Sequence, residues 1–426
     1  MSDDDARVPA GRRVSRRHLL MGGAAGTLGA AGAIGLDAAR RGAAGTAGAP
    51  APAGAAGPAG APAAAPLDVG AAREPFHGAR QAGIDTPPQA HAVFLALDLH
   101  PGTDRAALRR MMSVLSDDAS RLTRGEAALA DSEPELAAVA ARLTVTFGFG
   151  PELVRRAAGP SAAPTWLRPL PAFTVDRLDP AYSDGDLLVH VGADDPLTLA
   201  HATRMLLKDA RSFTSLRWSQ PGFRRAAGSE AAGTTMRNLC GQVDGTVNLQ
   251  PGSPDHERLV WGGGGPAWLE GGTGLVLRRI SMDLDAWDGL DRSGREQAVG
   301  RTLAEGAPLT GTREHDEPDL AATTPLGFPV IPEFAHIRRA RSDDPDERIF
   351  RRGYNYDQAP AADGSVSDSG LLFVSYQRDV DAQFVPLQRR LDELDLLNEW
   401  ITPVGSAVFA IPPGCAPGGF VGDTLL

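Results

Sequence analysis

The sequence predicts an α+β fold made of two ferredoxin-like halves, residues 70–235 and 236–426. In each half, apolar runs typical of strands and amphipathic runs typical of helices follow the order strand, helix, strand, strand, helix. The 426 residues, of which 42% are hydrophobic, are also enough to build a sizeable core. There is no strict sequence repeat, so the possible duplication rests on the shared order of elements.

The first half opens with the apolar run HAVFLALDL, residues 91–99, which is typical of a strand. A helix capped by Thr103 or Asp104 is predicted next. Strands over residues 142–150 and 184–194 and a helix over residues 196–210 follow it. The apolar face of the first helix consists of Leu108, Met111, Met112 and Leu115.

The second half shows the same alternation of elements. The runs GTGLVLRRISMDL (272–284) and SGLLFVSYQRD (369–379) are predicted to be strands. The runs REQAVGRTLA (295–304) and FVPLQRRLDELDLLNEW (384–400) are predicted to be helices.

The N-terminus is predicted to carry an export signal and a linker, not part of the fold. Arg16 and Arg17, followed by His18, stand before Leu19–Leu36, an uncharged run rich in Gly and Ala, which is typical of a twin-arginine (Tat) signal over residues 1–41. A run of that length could just span a bilayer, but its small residues would make a weak membrane helix. Residues 42–69 are rich in Ala, Gly and Pro and are predicted to be a disordered linker. We therefore expect a periplasmic, cell-envelope or extracellular protein.

Composition and motifs argue against several classes of function. A net charge of -11 without a basic stripe speaks against nucleic-acid binding. The run WGGGGPAW lacks the Lys of a phosphate-binding loop, and the Cys-x-x-Cys, His-Glu-x-x-His and Gly-x-Ser-x-Gly motifs are absent. Cys240 and Cys415 could form one disulfide, and two buried free thiols are at least as compatible with the sequence.

Three residues remain as candidates for chemistry. Asp244 lies at a glycine turn in NLCGQVDGTVN, His336 lies in PEFAHIRRARS, and Arg351 lies in RIFRRGYNY. Taken singly, the aspartate is more typical of a turn, the histidine of a core position and the arginine of an ion pair. None of the three is decisive alone.

The order of several longer motifs is more specific. Over residues 73–426 the chain resembles the dye-decolourising peroxidases, which are α+β haem enzymes, and in particular their Tat-exported branch linked to iron uptake. The resemblance implies a duplicated ferredoxin-like fold of the dimeric α+β barrel type. It rests on REPFHGARQAGIDTP, LTVTFGFGPEL, LRWSQPGF, RNLCGQVDGTVN, PAWLEGGTGLVLRRI, GRTLAEGAPLTG, AHIRRA, RIFRRGYNYD and QFVPLQRRLDELDLLNEWITPVGSAVFAIPPG.

The resemblance implies a role for each candidate. Asp244, in the family's Gly-x-x-Asp-Gly motif, becomes the distal acid–base residue, and His336 becomes the proximal haem ligand. Arg351 becomes the distal arginine, with the adjacent Arg352 as the alternative. The family's apolar distal wall falls on the run GLLFVSY, where Leu371 and Phe373 share one face of a strand.

Further residues follow as expectations. Glu317 and Asp319 are candidates to hold the second ring nitrogen of the haem-ligating histidine. Arg301, and Arg338 or Arg339, are candidates to pair with the haem propionates. The motif departs from its relatives at Cys240, Gln242 and Val243, which leaves substrate preference open. Five aromatic residues are candidates to carry electrons, although each is more typical of core packing: Trp261, Trp268, Trp400, Tyr354 and Tyr356.

The implied activity is the reduction of hydrogen peroxide by haem b through a ferryl-haem intermediate, with oxidation of dyes or other one-electron organic donors. The alternative is a haem-handling, iron-releasing protein of the deferrochelatase type within an iron-uptake system. Components of an iron-uptake permease are possible partners, and a homo-oligomer is possible.

Overall fold

The computed structural model describes residues 69–261, 265–360 and 367–426. The predicted export signal and nearly all of the predicted linker lie outside these residues. Among the helices that are described, none is long and apolar enough to cross a membrane.

The first half is a ferredoxin-like unit. Its strands are β1 (His91–Leu99), β2 (Thr144–Phe149), β3 (Leu187–Ala193) and β4 (Thr214–Phe223), and its helices are α1 (Arg105–Leu122), α2 (Pro151–Ala158) and α3 (Pro196–Ala210). The strands pair in the order β2-β3-β1-β4, and every pairing is antiparallel. The Asp104 side chain caps α1 by accepting a hydrogen bond from Ala107 N at 2.8 Å.

The second half repeats this order. Its strands are β5 (Thr273–Met282), β6 (Phe350–Arg351), β7 (Tyr354–Gln358), β8 (Asp368–Gln377) and β9 (Ile401–Ile411). Its helices are α4 (Pro254–Val260), α5 (Leu284–Asp288), α6 (Arg292–Val299), α7 (His336–Arg339) and α8 (Val385–Leu394). The order β9-β5-β8-β7 corresponds strand by strand to β4-β1-β3-β2 of the first half. The short strand β6 also pairs with β8, at one end.

The two halves close into one barrel. The edge strand β2 meets β9 at Phe149 and Ala410, and β4 meets β7 at Phe223 and Asn355. The β5–β8 pairing completes the ring. The predicted fold class, a duplicated ferredoxin-like α+β barrel, is confirmed.

The core has two layers because the sheet is apolar on both faces. The predicted face of α1 packs against the outside of the sheet, where Leu108, Met111, Met112 and Leu115 are fully buried. The inside of the barrel holds a second cluster that includes Phe94, Tyr354 and Phe409.

Two predicted helices differ from the structure. The helix predicted over 295–304 ends at Val299, because Gly300 takes the left-handed conformation at φ 89°. The helix predicted over 384–400 is divided into α8 and a short 3₁₀ turn, Leu396–Glu399. The division falls at Asp395, whose backbone is extended and whose side chain caps the 3₁₀ turn. Both differences lie at the site described next.

Candidate active site

A cavity of about 590 Å³ lies within the second half of the chain. That volume falls in the range of about 300–1,000 Å³ typical of cofactor sites. Its walls come from the loop 238–248, from β5 and β8, from the segment around α7, and from α8 with the turn after it. Asp244, His336, Arg351, Leu371 and Phe373 all line it.

His336 lies at the first position of α7, and its ring is fixed by Asp395. The ring Nδ1 lies 2.6 Å from Asp395 Oδ2, and the Asp395 side chain is 1% exposed. Burial alone would lower the pKa of His336, but the charge and hydrogen bond of Asp395 raise it above its ordinary value. With its proton held on Nδ1, the imidazole can offer Nε2 to a metal.

The acceptor for His336 was expected to be Glu317 or Asp319, and this expectation is wrong. Glu317 pairs with Arg341, and Asp319 accepts hydrogen bonds from the backbone of its own loop at Ala321 N and Ala322 N. The acceptor comes instead from 59 residues downstream.

Asp244 lies in a loop that glycines allow to turn tightly. Gly241 and Gly245 have φ values of 81° and 127°, a region open to glycine at little cost. The Asp244 carboxylate accepts one hydrogen bond from Asn238 Nδ2 at 3.1 Å and another from Arg351 Nη2. Burial raises the pKa of Asp244, but the Arg351 charge and these two hydrogen bonds outweigh it and hold the pKa below its ordinary value.

The structure separates the two adjacent arginines. Arg351 forms an ion pair with Asp244, and its guanidinium lies 5.1 Å from the centre of the Phe373 ring. Neighbouring residues of a strand point to opposite faces. Arg352 accordingly points away from the cavity and is 1% exposed, and its Nη2 donates to Gln89 Oε1 at 2.6 Å. Arg351 is therefore the arginine that reaches Asp244.

The apolar wall follows the alternation of β8. Leu371 and Phe373 face the cavity, as the i, i+2 spacing predicts, whereas Leu372 between them is fully buried inside the barrel. Together, one wall carries an imidazole, another carries an ionised carboxylate beside a guanidinium, and apolar side chains enclose the space between.

Comparison with known proteins identifies the family. The C-terminal domain of the Dyp-type peroxidases matches residues 235–416, and their N-terminal domain matches residues 81–224. The chain belongs to the Dyp-type peroxidase family. It is 38% identical over 384 residues to the dye-decolorizing peroxidase of Thermobifida fusca, covering 86% of this chain and 89% of that protein.

One further relative and two solved structures agree with this assignment. The deferrochelatase of Escherichia coli strain UTI89 is 33% identical over 377 residues, covering 83% of this chain and 87% of that protein. The DyP-type peroxidase of Cellulomonas bogoriensis superposes with a TM-score of 0.82 at 57% identity, covering 84% of this chain and 99% of that one. Ferric DtpA of Streptomyces lividans gives a TM-score of 0.81 at 41% identity, covering 85% and 99%.

Haem is the cofactor of Dyp-type peroxidases, and the residues of the cavity fit it. Ile280, Met282 and Val299 add to the apolar lining that a flat macrocycle requires. His336 supplies the nitrogen ligand that holds haem iron in other haem proteins. The Nε of Arg351 is buried without a hydrogen-bond partner among the described residues, so the site contains a cationic donor that a bound group can use.

Of the three predicted propionate partners, one lines the cavity and two do not. Arg301 lines the cavity, where its Nη1 donates to Gly306 O at 2.6 Å and to Glu314 O at 2.7 Å. Burial lowers its pKa from the ordinary value. Arg338 is not part of the cavity wall, because its Nη2 is held by Leu320 O at 2.7 Å and Ile331 O at 2.8 Å. Arg339 is likewise turned away, towards Arg390 O.

Sequence reasoning did not find several residues of the cavity wall. Arg341 and Arg348 add positive charge to it. Asn238, which holds Asp244, lies inside the motif that carries the aspartate, so its position was the available signal. Asp395 offered only its place at the end of an amphipathic helix.

Both cysteines are free and buried. Cys240 lines the cavity, and its Sγ lies 3.7 Å from the Met282 Sδ. Gln242 and Val243, the other departures from the family motif, also line the cavity.

The five aromatic residues proposed as electron carriers lie outside the cavity wall. Trp261, Trp268, Tyr354 and Tyr356 are buried in the core. Trp400 is half-buried and stacks edge-on against Trp287 at 5.2 Å between ring centres. Four of the five therefore pack in the hydrophobic core.

Proposed function

We propose that this chain binds haem b in the cavity with His336 as the iron ligand and reduces hydrogen peroxide with the help of Asp244 and Arg351. The observation that carries the proposal is the arrangement around one cavity: an imidazole held by Asp395 at one wall, and the Asp244–Arg351 ion pair at another. Haem, when bound, supplies the iron at which peroxide is reduced.

His336 and Asp395 form the proximal part of the site. The Asp395 carboxylate accepts the Nδ1 proton, which fixes the ring tautomer and increases the electron donation of Nε2. Arg301 and Arg341 supply positive charge for the two propionates, and Arg301 is the best supported because it is buried at the cavity.

Asp244 moves the proton. Its lowered pKa keeps the carboxylate ionised in mild acid, so it can accept a proton from hydrogen peroxide and return it to the oxygen that leaves as water. Arg351 carries a permanent charge that stabilises negative charge developing on that oxygen. Leu371 and Phe373 restrict the space around the pair, so bulky donors are expected to deliver electrons from outside it.

The electron donors belong to the class of one-electron organic reductants, including dyes. The family of the chain and the dye-decolorizing name of its Thermobifida fusca relative support this class. For location, the Arg16–Arg17 pair before an uncharged run supports Tat export to the periplasm, the cell envelope or the extracellular space.

A second candidate function is release of iron from haem within an iron-uptake system. The relatives named deferrochelatase, such as the Escherichia coli protein at 33% identity, favour it. In that function, permease components of the uptake system would be partners. A homo-oligomer is compatible with either function.

Two variants test the proposal. His336→Ala should lose the Soret band of the purified holoprotein, whereas His315→Ala, in which the replaced side chain is 73% exposed, should keep it. Asp244→Asn should keep haem and lose about 10²- to 10⁴-fold in the rate of reaction with peroxide. A normal Soret band and normal peroxide turnover in His336→Ala would contradict the proposal. Loss of peroxide turnover with intact iron release in Asp244→Asn would favour the second function.

A further inference from the structure

Asn248 joins the two segments that carry the catalytic pair. Its side-chain Nδ2 donates to Arg351 O at 2.8 Å, and its Oδ1 accepts from Arg351 N at 2.8 Å. These are the two hydrogen bonds that a neighbouring antiparallel strand would make with this residue. The other edge of β6 pairs with β8, where Arg351 lies opposite Ser375. Asn248 thus takes the place of a strand at the open edge of a strand that is only two residues long.

Asn248 is also firmly connected to Asp244. The Asn248 N–H donates to Gly245 O at 3.1 Å, which closes a turn directly after the aspartate. The Asp244 N–H donates to Met236 O at 2.8 Å, and Thr246 Oγ1 donates to Glu314 Oε1 at 2.9 Å. The loop is therefore held on both sides of Asp244. Among the described side-chain amides of this loop, only that of Asn248 bonds to β6.

Because Asp244 and Arg351 are 107 residues apart in sequence, their contact depends on how the loop docks on β6. We propose that Asn248 is a positioning residue: its amide fixes the backbone of Arg351 at the distance where the guanidinium meets the Asp244 carboxylate. This inference rests on the proposed function of Asp244 and Arg351. Asn248 would affect the reaction only by holding Asp244 and Arg351 in contact with each other.

A purely structural amide would stabilise the fold without changing the chemistry, and the chain contains one for comparison. Gln81 makes the same two-point contact with the backbone of Phe147: its Oε1 accepts from Phe147 N at 2.7 Å and its Nε2 donates to Phe147 O at 2.9 Å. Gln81 lies in the first half of the chain and is not part of the cavity wall. Gln81→Ala is therefore a matched control for Asn248→Ala.

The pH profile distinguishes the two roles, because Asp244 must be ionised to accept a proton. The charged and titratable groups that act on Asp244 or on which it acts are Arg351, His336, Arg224 and Cys240. Asn248→Ala removes none of these groups. The acid limb of the pH–rate profile is the part where the rate falls as the pH is lowered. A shift of this limb in Asn248→Ala would therefore report a change in the Asp244–Arg351 contact itself.

The experiment uses the haem-loaded full chain and measures the rate of reaction with hydrogen peroxide by stopped-flow absorbance across pH. Asn248→Ala should react about 10- to 100-fold more slowly, because a small misplacement of a catalytic group is costly, and its acid limb should move to higher pH. Asn248→Gln, which keeps the amide one methylene further out, should fall between wild type and Asn248→Ala. Gln81→Ala should melt at lower temperature but keep the wild-type rate and acid limb.

Haem content and melting temperature are measured for every variant. If Asn248→Ala does not fold, the intermediate rate and acid limb of Asn248→Gln carry the test. Wild-type rates and an unmoved acid limb in both Asn248 variants would overturn the inference. Asp244→Asn in the same assay tests the proposed function separately: a wild-type rate there would remove the function itself, whatever Asn248 does.

Discussion

The Arg351→Leu variant should lose its reactivity with peroxide at a higher pH than the native protein does. In the native protein, burial raises the pKa of Asp244, but the charge of Arg351 and the hydrogen bonds from Asn238 and Arg351 lower it by more. A carboxyl group with a lowered pKa stays ionised above that pKa and loses its function only as the pH falls through it. Leucine removes the charge and keeps an apolar side chain against Phe373.

The size of the effect follows from the contacts that remain. A cation in contact lowers the pKa of a carboxyl group by about 1–3 units, and each unit corresponds to about 1.4 kcal/mol. Without Arg351, Asp244 keeps the hydrogen bond from Asn238 at 3.1 Å, and burial, which is already the largest single effect on its pKa, is opposed much less. We therefore expect the acid limb to move upward, by a shift of the order that a contacting cation causes.

The assay is stopped-flow measurement of the second-order rate with hydrogen peroxide, between about pH 3 and pH 8, where carboxyl groups with ordinary and raised pKa values titrate. Arg348→Leu is the matched control, because Arg348 lines the same cavity but pairs with Asp255 at 3.1 Å and not with Asp244. Its acid limb should stay in place. An Arg351→Leu acid limb that stays in place or moves downward would refute the reasoning.

Asp395→Asn weakens the acceptor of the His336 Nδ1 proton, so haem affinity or the rate with peroxide should fall by about 10- to 100-fold, measured by haem transfer and stopped-flow; unchanged values would show that the contact does not tune the ligand. Arg301→Leu should speed haem loss to an acceptor globin, whereas Arg338→Leu should not, and equal rates would contradict the division between the two arginines. Asp104→Ala removes the α1 cap and should cost about 1 kcal/mol, or about 2 °C in melting temperature, with activity unchanged; an unaltered melting curve would count against the cap.

Most of the fold could be predicted because its strands and helices show their periods clearly. The strand at 91–99 and the helix at 196–210 have the predicted bounds. The strand β4 did not appear in the element-by-element prediction, since it carries several polar residues and a Pro-Gly pair at Pro221 and Gly222 that usually ends a strand. The Pro-Gly pair is tolerated in this strand because β4 pairs with β7 only at its last residue, Phe223.

Contacts within the site were harder to predict than the site residues. The acceptor of His336 depends on where α8 ends and how the turn after it lies against α7, and no short-range pattern encodes that packing. Arg338 does not line the cavity, for a geometric reason. It lies two residues after His336 on α7, so its side chain leaves the helix about 200° away from that of the histidine.

The adjacent residues Arg351 and Arg352 show how the first half of the chain supports a site that the second half forms. Arg351 faces the cavity, and Arg352 binds Gln89 and the backbone of Ile84 in the first half. Arg224, at the end of β4, donates to Gly353 O at 2.8 Å directly after this pair.

The short segment that carries Arg351 is therefore held by the first half through Arg352 and Arg224, and held against the Asp244 loop by Asn248. A two-residue strand has too few hydrogen bonds of its own to fix a catalytic side chain, so this support must come from outside the strand. Closure of the barrel, beyond burying a core, thus places the guanidinium on which the ionisation of Asp244 depends.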